Sequence, residues 1–224
     1  MTKQHKVLIT GGARGIGKSI AQEFSRENYE VITPTRESLD LSRNESIENF
    51  FTHSKHKDFD VLINNAGINV PQKFSEIEES ELKEIIKVNL EAPFLVTKHL
   101  INHMQKNKWG RIVNISSAYS FLAREGRSAY SSSKAGLDAL TRSLAVEYSN
   151  DNILVNSVAP GFVDTELTRK NNSKSEIEKI CSSIPMRRLA SSDEIAKIVF
   201  FLSSEENTYI TGQTIVADGG FSIA

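Results

Sequence analysis

Tyr130 and Lys134 stand four residues apart in the run Ser128-Ala-Tyr130-Ser-Ser-Ser-Lys134-Ala-Gly136, and Ser117 lies thirteen residues before the tyrosine. On an α-helix, positions i and i+4 share a face and are roughly 6 Å apart along the axis, so an ammonium can lie beside the phenol. A free tyrosine titrates near about 10, too high for a good base at neutral pH. A fixed positive charge favours the phenolate and lowers that value. Ser117 adds a hydroxyl that could hold a carbonyl or alcohol oxygen. The three together can move a proton to or from an oxygen atom. A Tyr-x-x-x-Lys pair by itself is also an ordinary helix-surface pair, so its surroundings must decide.

The elements that would position this chemistry begin at the N-terminus. Lys6-Val-Leu-Ile-Thr10 is a short apolar run that reads as a buried strand. Gly11, Gly15 and Gly17 follow, and then Ile16, Ile20 and Phe24 recur every four residues as a helical stripe. Strand, glycine turn and helix in this order describe a phosphate-binding turn, because a helix N-terminus presents free N–H groups and a positive dipole end. Gly11 would allow the tight turn, Gly15 the approach of the backbone to a diphosphate, and Gly17 the packing of helix on strand. The spacing is Gly-x-x-x-Gly-x-Gly rather than Gly-x-Gly-x-x-Gly.

Taken together the chain resembles the short-chain dehydrogenase/reductase family, in its compact form, from about Lys6 to Phe221. Thr10-Gly-Gly-Ala-Arg-Gly-Ile-Gly17 matches the cofactor turn, and Asn64-Asn65-Ala66-Gly67 a motif after the central strand. Asn89, in Lys-Val-Asn-Leu, matches a proton-relay asparagine, and Ser117, Tyr130 and Lys134 match the catalytic trio. Pro160-Gly161 with Thr165 matches the segment that holds the nicotinamide end, and Ala217-Asp218-Gly219-Gly220 the usual ending. Only Ser117, not Ser116, keeps the family's interval to Tyr130, and Tyr119 lacks a lysine four residues on.

The resemblance implies hydride transfer between a nicotinamide and a carbonyl carbon. Tyr130 would donate the proton in reduction, Ser117 would orient the oxygen, and Lys134 would lower the Tyr130 pKa and reach the nicotinamide ribose. Asn89 would hold a water that refills the proton. Val163 and Thr165 would hold the carboxamide, Asn65, Ala66 and Gly67 would line the adenosine side, and Asp40 and Leu41 would meet the adenine. Gly11, Arg14, Gly15, Ile16 and Gly17 would wrap the diphosphate. In this fold an acidic residue at the end of the second strand suits NAD, and arginine suits the 2′-phosphate of NADP. Here that end reads Thr33-Pro34-Thr35-Arg36, with Arg14 in the glycine turn. NADP(H) is therefore favoured over NAD(H), since guanidinium forks well onto phosphate. The competing arrangement has Arg36 in solvent and Glu37 on the ribose.

Strand-like runs at 6–10, 29–33, 60–65, 110–115, 153–158 and 212–217 alternate with helical patterns at 15–27, 44–53, 80–106, 128–149 and 192–202. This alternation predicts an α/β, Rossmann-type doubly wound parallel sheet in one domain spanning 1–224. Ser191-Ser-Asp-Glu194 reads as a capping box, and Pro93 should kink the third helix. Residues 162–190 show no clean period and match the family's substrate lid. The helix the family places between its second and third strands is deleted, which leaves a short edge strand expected near 38–41.

The 27 basic and 28 acidic side chains nearly cancel, which points to neither nucleic acid nor an anionic membrane as partner. No apolar run approaches the roughly 20 residues of a membrane span, and Met1–Lys6 leaves no room for a secretory leader before the first strand. The single cysteine, Cys181, fits a reducing cytoplasm and a packing role. No metal site is expected: of the five histidines only His99 and His103 share a helix face, with no third ligand near.

Among relatives the chain looks most like 3-oxoacyl-acyl-carrier-protein reductases. These dock an acidic carrier through basic residues near the site. Lys108 matches one such position, whereas Asp151 occupies the other and would repel the carrier. A reductase of a sugar, sugar-nucleotide, steroid or small ketone, or a non-catalytic cofactor-binding scaffold or sensor, stays open beside it. The family also implies a homotetramer built through helices 80–106 and 128–149 and the C-terminal strand, with Ala135, Leu137 and Leu144 available to such a face or to the core.

Overall fold

The computed structural model describes residues 4–53 and 58–224. Met1–Lys3, cited above against a leader, and His56 lie outside the described residues.

Six strands form one parallel sheet: β1 (Lys6–Ile9), β2 (Glu30–Ile32), β3 (Val61–Asn64), β4 (Gly110–Ile115), β5 (Ile153–Pro160) and, after a small outlying pair β6 (Val163–Asp164) and β7 (Ala190–Ser191), β8 (Thr214–Ala217). Their order is β2-β1-β3-β4-β5-β8, so the chain runs outward from β1 to β2, returns past it to β3, and continues the other way. That reversal opens a crevice beyond the carboxyl ends of β1 and β3, where ligands bind in open α/β sheets.

The described residues form eight α-helices, most of them packed on the sheet: α1 (Gly15–Arg26), α2 (Asn44–His53), α3 (Glu79–Ile86), α4 (Ala92–Asn107), α5 (Ser128–Tyr148), α6 (Glu166–Asn171), α7 (Lys174–Ser183) and α8 (Ser192–Ser203). The alternation of strand side chains assigns the two faces. Leu8, Leu62, Ile112 and Val155 point to the layer of α2, α4 and α5, with Ile47, Val96 and Leu100. Val7, Ile9, Val61, Ile63 and Val113 point to α1 and α8, with Ile20, Phe24, Ile195 and Val199. Strands buried on both faces read as continuous apolar runs, as these do.

The expected edge strand at 38–41 does not form. Ser38 and Leu39 donate their N–H groups to the Thr35 carbonyl in a tight turn, and Asp40 is tied down by Ser42 and by the Ser46 hydroxyl. Leu39 is buried against α2. With its backbone groups satisfied locally the segment has no ladder to offer, and β2 is left as the edge of the sheet.

The long helix expected over 80–106 is interrupted by a π-helical turn at Lys87–Glu91, and Pro93 lies in the first turn of α4. Proline has no N–H for the carbonyl four residues back, which is that of Asn89. The chain widens just there, as π turns do. Residues 162–190, aperiodic in sequence, hold α6 and α7 and the two short strands. The start of α7 is a capping box between Ser173 and Glu176.

A polar ladder crosses the core below the crevice. Asn64 Nδ2 donates to Asn114 Oδ1 at 2.8 Å, Asn114 Nδ2 to Thr141 Oγ1 at 2.8 Å, and Thr141 Oγ1 lies 2.8 Å from Ser157 Oγ. It fixes β3, β4, α5 and β5 to one another, and every member is buried. Asn114→Ala would take from Asn64 its short hydrogen bond and from Thr141 one of its partners, at a cost of about 2 to 4 kcal/mol. The urea midpoint is expected to fall by the corresponding amount with an unchanged m value.

Candidate active site

The glycine turn lies at the crevice between β1 and β3. Gly11 has φ +66°, a conformation strained for other residues. A Cβ on Gly17 would overlap the Gly11 carbonyl and come within 2.5 Å of Asn65 Nδ2, so α1 can start against the turn only with glycine there. Asn65 Nδ2 donates to the carbonyls of Thr10 and Gly11 at 2.9 and 3.0 Å. Thr10 Oγ1 accepts the N–H groups of Asn65 and Ala66. Strand ends β1 and β3 are thus laced together, and Thr10 and Gly12, whose Cβ would run into Thr33, join the residues singled out in the sequence.

A cleft of about 530 Å³ opens here, within the usual range for ligand sites. Gly11, Arg14, Gly15, Ile16, Gly17, Arg36, Asp40, Leu41, Asn65, Ala66, Gly67 and Thr165 all line it. Arg36 is on the wall and Glu37 is not. Arg36 is 77% exposed and reaches Asp40 only at 3.4 Å. Arg14 has no ion-pair partner among the described residues. Pro160, Gly161 and Val163 stand outside the cleft wall. Gly161 packs on Asp218 and donates its N–H to Ala217, and the Val163 carbonyl accepts from Thr168 Oγ1 at 2.7 Å. Thr165 caps α6 by accepting the Thr168 N–H.

Behind Gly67 stands Lys134, one of the three residues singled out in the sequence. Lys134, 3% exposed, donates to the Ile115 carbonyl at 2.7 Å, with Nζ 5.8 Å from the Tyr130 ring centre. A Cβ on Gly67 would lie 3.4 Å from that Nζ and 3.3 Å from Asn89 Oδ1. Asn89, in the π turn, accepts the Ile68 N–H at 2.8 Å and donates to the Ile68 carbonyl at 2.9 Å and to Ser133 Oγ at 3.0 Å. It clamps the loop after β3 to α5. The Ser117 hydroxyl accepts the Tyr119 N–H at 3.2 Å and acts on the Tyr130 phenol closely enough to oppose the rise in its pKa, whereas the Ser116 hydroxyl is buried without a hydrogen-bond partner among the described residues. The Tyr119 hydroxyl accepts from Arg124 at 2.8 Å.

The electrostatics differ from the sequence expectation in one respect. Burial holds the Tyr130 phenol above its ordinary pKa, with the Ser117 hydrogen bond and the Arg127 charge pulling the other way. Lys134 is not the group that counters the rise; its own pKa is pushed down to about 8 by burial, with Asp138 acting in the opposite sense. The phenol is therefore protonated at neutral pH and ready to donate.

A family model described as enoyl-(acyl carrier protein) reductase matches residues 37–222. The 3-oxoacyl-[acyl-carrier-protein] reductase of Aquifex aeolicus is 38% identical over 95% of this chain and 95% of its own length. The chain is a short-chain dehydrogenase/reductase. Family members of known structure agree: ElxO with NADP bound has a TM-score of 0.91 at 32% identity, over 98% of this chain and 99% of its own. A structure provisionally named as an NAD(P)-dependent gluconate 5-dehydrogenase from Beutenbergia cavernae, with NADP at low occupancy, has a TM-score of 0.92 at 28% identity over 100% and 98%. As a family member the protein is an NAD(P)-dependent oxidoreductase acting on CH–OH groups.

Two expectations about other residues need correction. Lys108 and Asp151 do not sit near the site within this chain. They precede β4 and β5 at the amino edge of the sheet, and they form an ion pair, with Gln105 also donating to Asp151. Asp151 therefore presents no free charge to an approaching acid. His99 and His103 are not simply solvated: His99 stacks on Phe51 and pairs with Glu48, and His103 pairs with Asp58 and Asp60. Of the tetramer-face candidates, Leu137 is buried within the chain, Leu144 is half-buried and Ala135 is exposed.

Lys134 generates a test. An unfolded lysine titrates near about 10.4, so between pH about 8 and that value the unfolded chain binds more protons and stability rises with pH. Below about pH 8 the full burial cost persists. Lys134→Met is expected to abolish turnover and yet raise Tm by a few degrees at pH 7. That gain should shrink as the pH is raised from 8 to 10, as followed by thermal unfolding.

Proposed function

We propose that this protein is an NADP(H)-dependent reductase that interconverts a ketone and a secondary alcohol. The observation that carries this reading is the half-buried Tyr130 phenol, kept in its protonated form by desolvation and acted on by Ser117, on the helix that seats Lys134 behind the cleft. The cleft fits the cofactor on its own terms. The turn excludes side chains at Gly11 and Gly17, and Arg14 and Arg36 leave guanidinium donors open for a 2′-phosphate. When bound, the nicotinamide supplies or accepts the hydride. The chain's own part is to hold the substrate oxygen on the Ser117 hydroxyl, to pass it the Tyr130 proton, and to stabilise the oxygen as charge develops. Asn89 and Lys134 lie where the phenol could be resupplied. The segment 162–190, carrying α6 and α7, is the substrate lid of the single domain.

The 3-oxoacyl thioester of an acyl carrier is the first candidate substrate, on the strength of the relatives' names. A small ketone is the second, favoured by the neutralised Asp151–Lys108 pair and by the absence of a basic docking pair there. A homotetramer is the assembly we infer from exposed Phe94 and Val146 on α4 and α5 and Val216 on β8. No helix among the described residues is long and apolar enough to cross a membrane, and the lone cysteine suits the cytoplasm as the working compartment.

The deciding experiment is NADPH oxidation against 3-oxoacyl carrier thioesters, their short thioester mimics, and a panel of free and sugar-derived ketones. Turnover of none of these would sink the reductase reading. With the competent substrate, Tyr130→Phe is expected to lower kcat by about a hundredfold or more, while NADPH binding by fluorescence stays near wild type. Arg36→Ser is expected to raise the NADPH dissociation constant about ten- to a hundredfold and to leave NADH binding almost unchanged.

A further inference from the structure

The loop that leads into α5, close to Tyr130, carries two arginines, Arg124 and Arg127, with Glu125 between them in sequence. Arg127 is the residue immediately before α5, three positions ahead of Tyr130. Its guanidinium lies 6.0 Å from the Tyr119 ring centre and interacts electrostatically with the phenol of Tyr130. Arg124 lies 5.9 Å from the Tyr119 ring and 5.8 Å from that of Phe162, and it donates to the Tyr119 hydroxyl at 2.8 Å.

Neither guanidinium has an ion-pair partner among the described residues. Two arginines of the neighbouring lid segment do: Arg169 grips Asp164 through two hydrogen bonds, and Arg188 grips Glu194 likewise. The loop bearing the unpaired arginines is held in place. Gln72 donates its N–H to the Gly126 carbonyl at 3.2 Å, and Gly126 turns the chain with φ +73°. Arg127 is half-buried, and desolvation and the like charge of Arg124 push its pKa down. Two like charges set against the Tyr119 and Phe162 rings, Arg127 half-buried and Arg124 exposed, repel each other until an anion lies between them.

We propose that Arg127, backed by Arg124, recognises an anionic group on the substrate, so that the ketone reduced here carries its own carboxylate or phosphate. This rests on the reductase reading above and, within it, sets a small charged ketone ahead of the 3-oxoacyl thioester that the relatives' names put first. A guanidinium fork binds either anion through paired hydrogen bonds. An unmodified 3-oxoacyl thioester offers no such group beside its carbonyl.

The test uses matched pairs: acetoacetate with methyl acetoacetate, and dihydroxyacetone phosphate with dihydroxyacetone. In the wild type the charged member of one pair is expected to have the higher kcat/KM by about tenfold or more, and the pair that shows it distinguishes carboxylate from phosphate. Arg127→Gln should erase most of that preference through KM, Arg127→Lys should keep part of it, and Arg124→Gln should weaken it. NADPH fluorescence reports that each variant is folded. The proposal is overturned by three results: equal use of charged and neutral members, a short 3-oxoacyl thioester preferred over every charged ketone, or an Arg127→Gln variant that loses kcat equally on both members with a shifted pH profile. That last result would mean that Arg127 acts on the phenol. Calorimetric titration of the protein–NADP⁺ complex with succinate and with inorganic phosphate separates this claim from the reductase reading. If no ketone is turned over, anion binding lost in Arg127→Gln still supports the recognition role, and no binding to the wild type rejects it.

Discussion

An ammonium group buried at the carboxyl edge of a parallel sheet sets the terms for its surroundings. Lys134 has a single hydrogen bond, to the Ile115 carbonyl, and little solvent, so removal from water costs it more than that bond returns. Its neighbours are constrained accordingly. Position 67 must approach both Lys134 and Asn89, and a side chain there would crowd them. Asn89 must hold Ile68 by both its backbone groups, and it does so from a π turn that re-aims one residue of an otherwise regular helix. The polar ladder through Asn64, Asn114, Thr141 and Ser157 fixes α5 to the strands. Lysine and tyrosine are thereby held on a rigid element, which the catalytic role proposed for them requires.

Charge is divided between two ends of the site. At the cofactor end Arg14 and Arg36 stand in solvent, where a guanidinium is flexible and its attraction is screened. At the end proposed for the substrate Arg127 is half-buried, and Arg124, though exposed, lies against the Tyr119 and Phe162 rings. Of these four arginines only Arg127 is partly withdrawn from solvent. Between them the phenol is kept protonated by burial, with Ser117 limiting the rise.

Most of this was legible where local chemistry is self-sufficient. The glycine turn, the two-face strand alternation and the i, i+4 pair follow from sterics and periodicity, and the sheet, the cleft and the seating of Tyr130 and Lys134 follow from them. The segment at 38–41 was not, because its apolar leucines suit a strand or a turn. The Ser46 hydroxyl, which accepts the Asp40 N–H, and the Asp40 carboxylate, which accepts from Ser42, decided for the turn. The helices of 162–190 carry little apolar periodicity because they cover little core, although Ser173-Lys-Ser-Glu176 announced the start of α7. The place of Lys108 and Asp151 at the amino edge depends on which end of β4 and β5 they precede, and motif matching alone does not weigh that. Arg127 was passed over because an arginine beside a tyrosine signals nothing until its lack of a carboxylate is visible.

The loss of a strand outside β2 also changes how the sheet can meet other sheets. Its outermost strand on that side has only three residues, begins with exposed Glu30, and leads to Pro34. Short length, charge and a nearby proline are the features that blunt an edge against pairing with another chain. The opposite edge, β8, is four residues long and leaves Val216 exposed. A sheet with one receptive border and one blunted border can join a second copy once, but it cannot extend from copy to copy. The trimmed flank beside the adenosine end thus guards the protein against runaway strand addition, the first step towards fibrils.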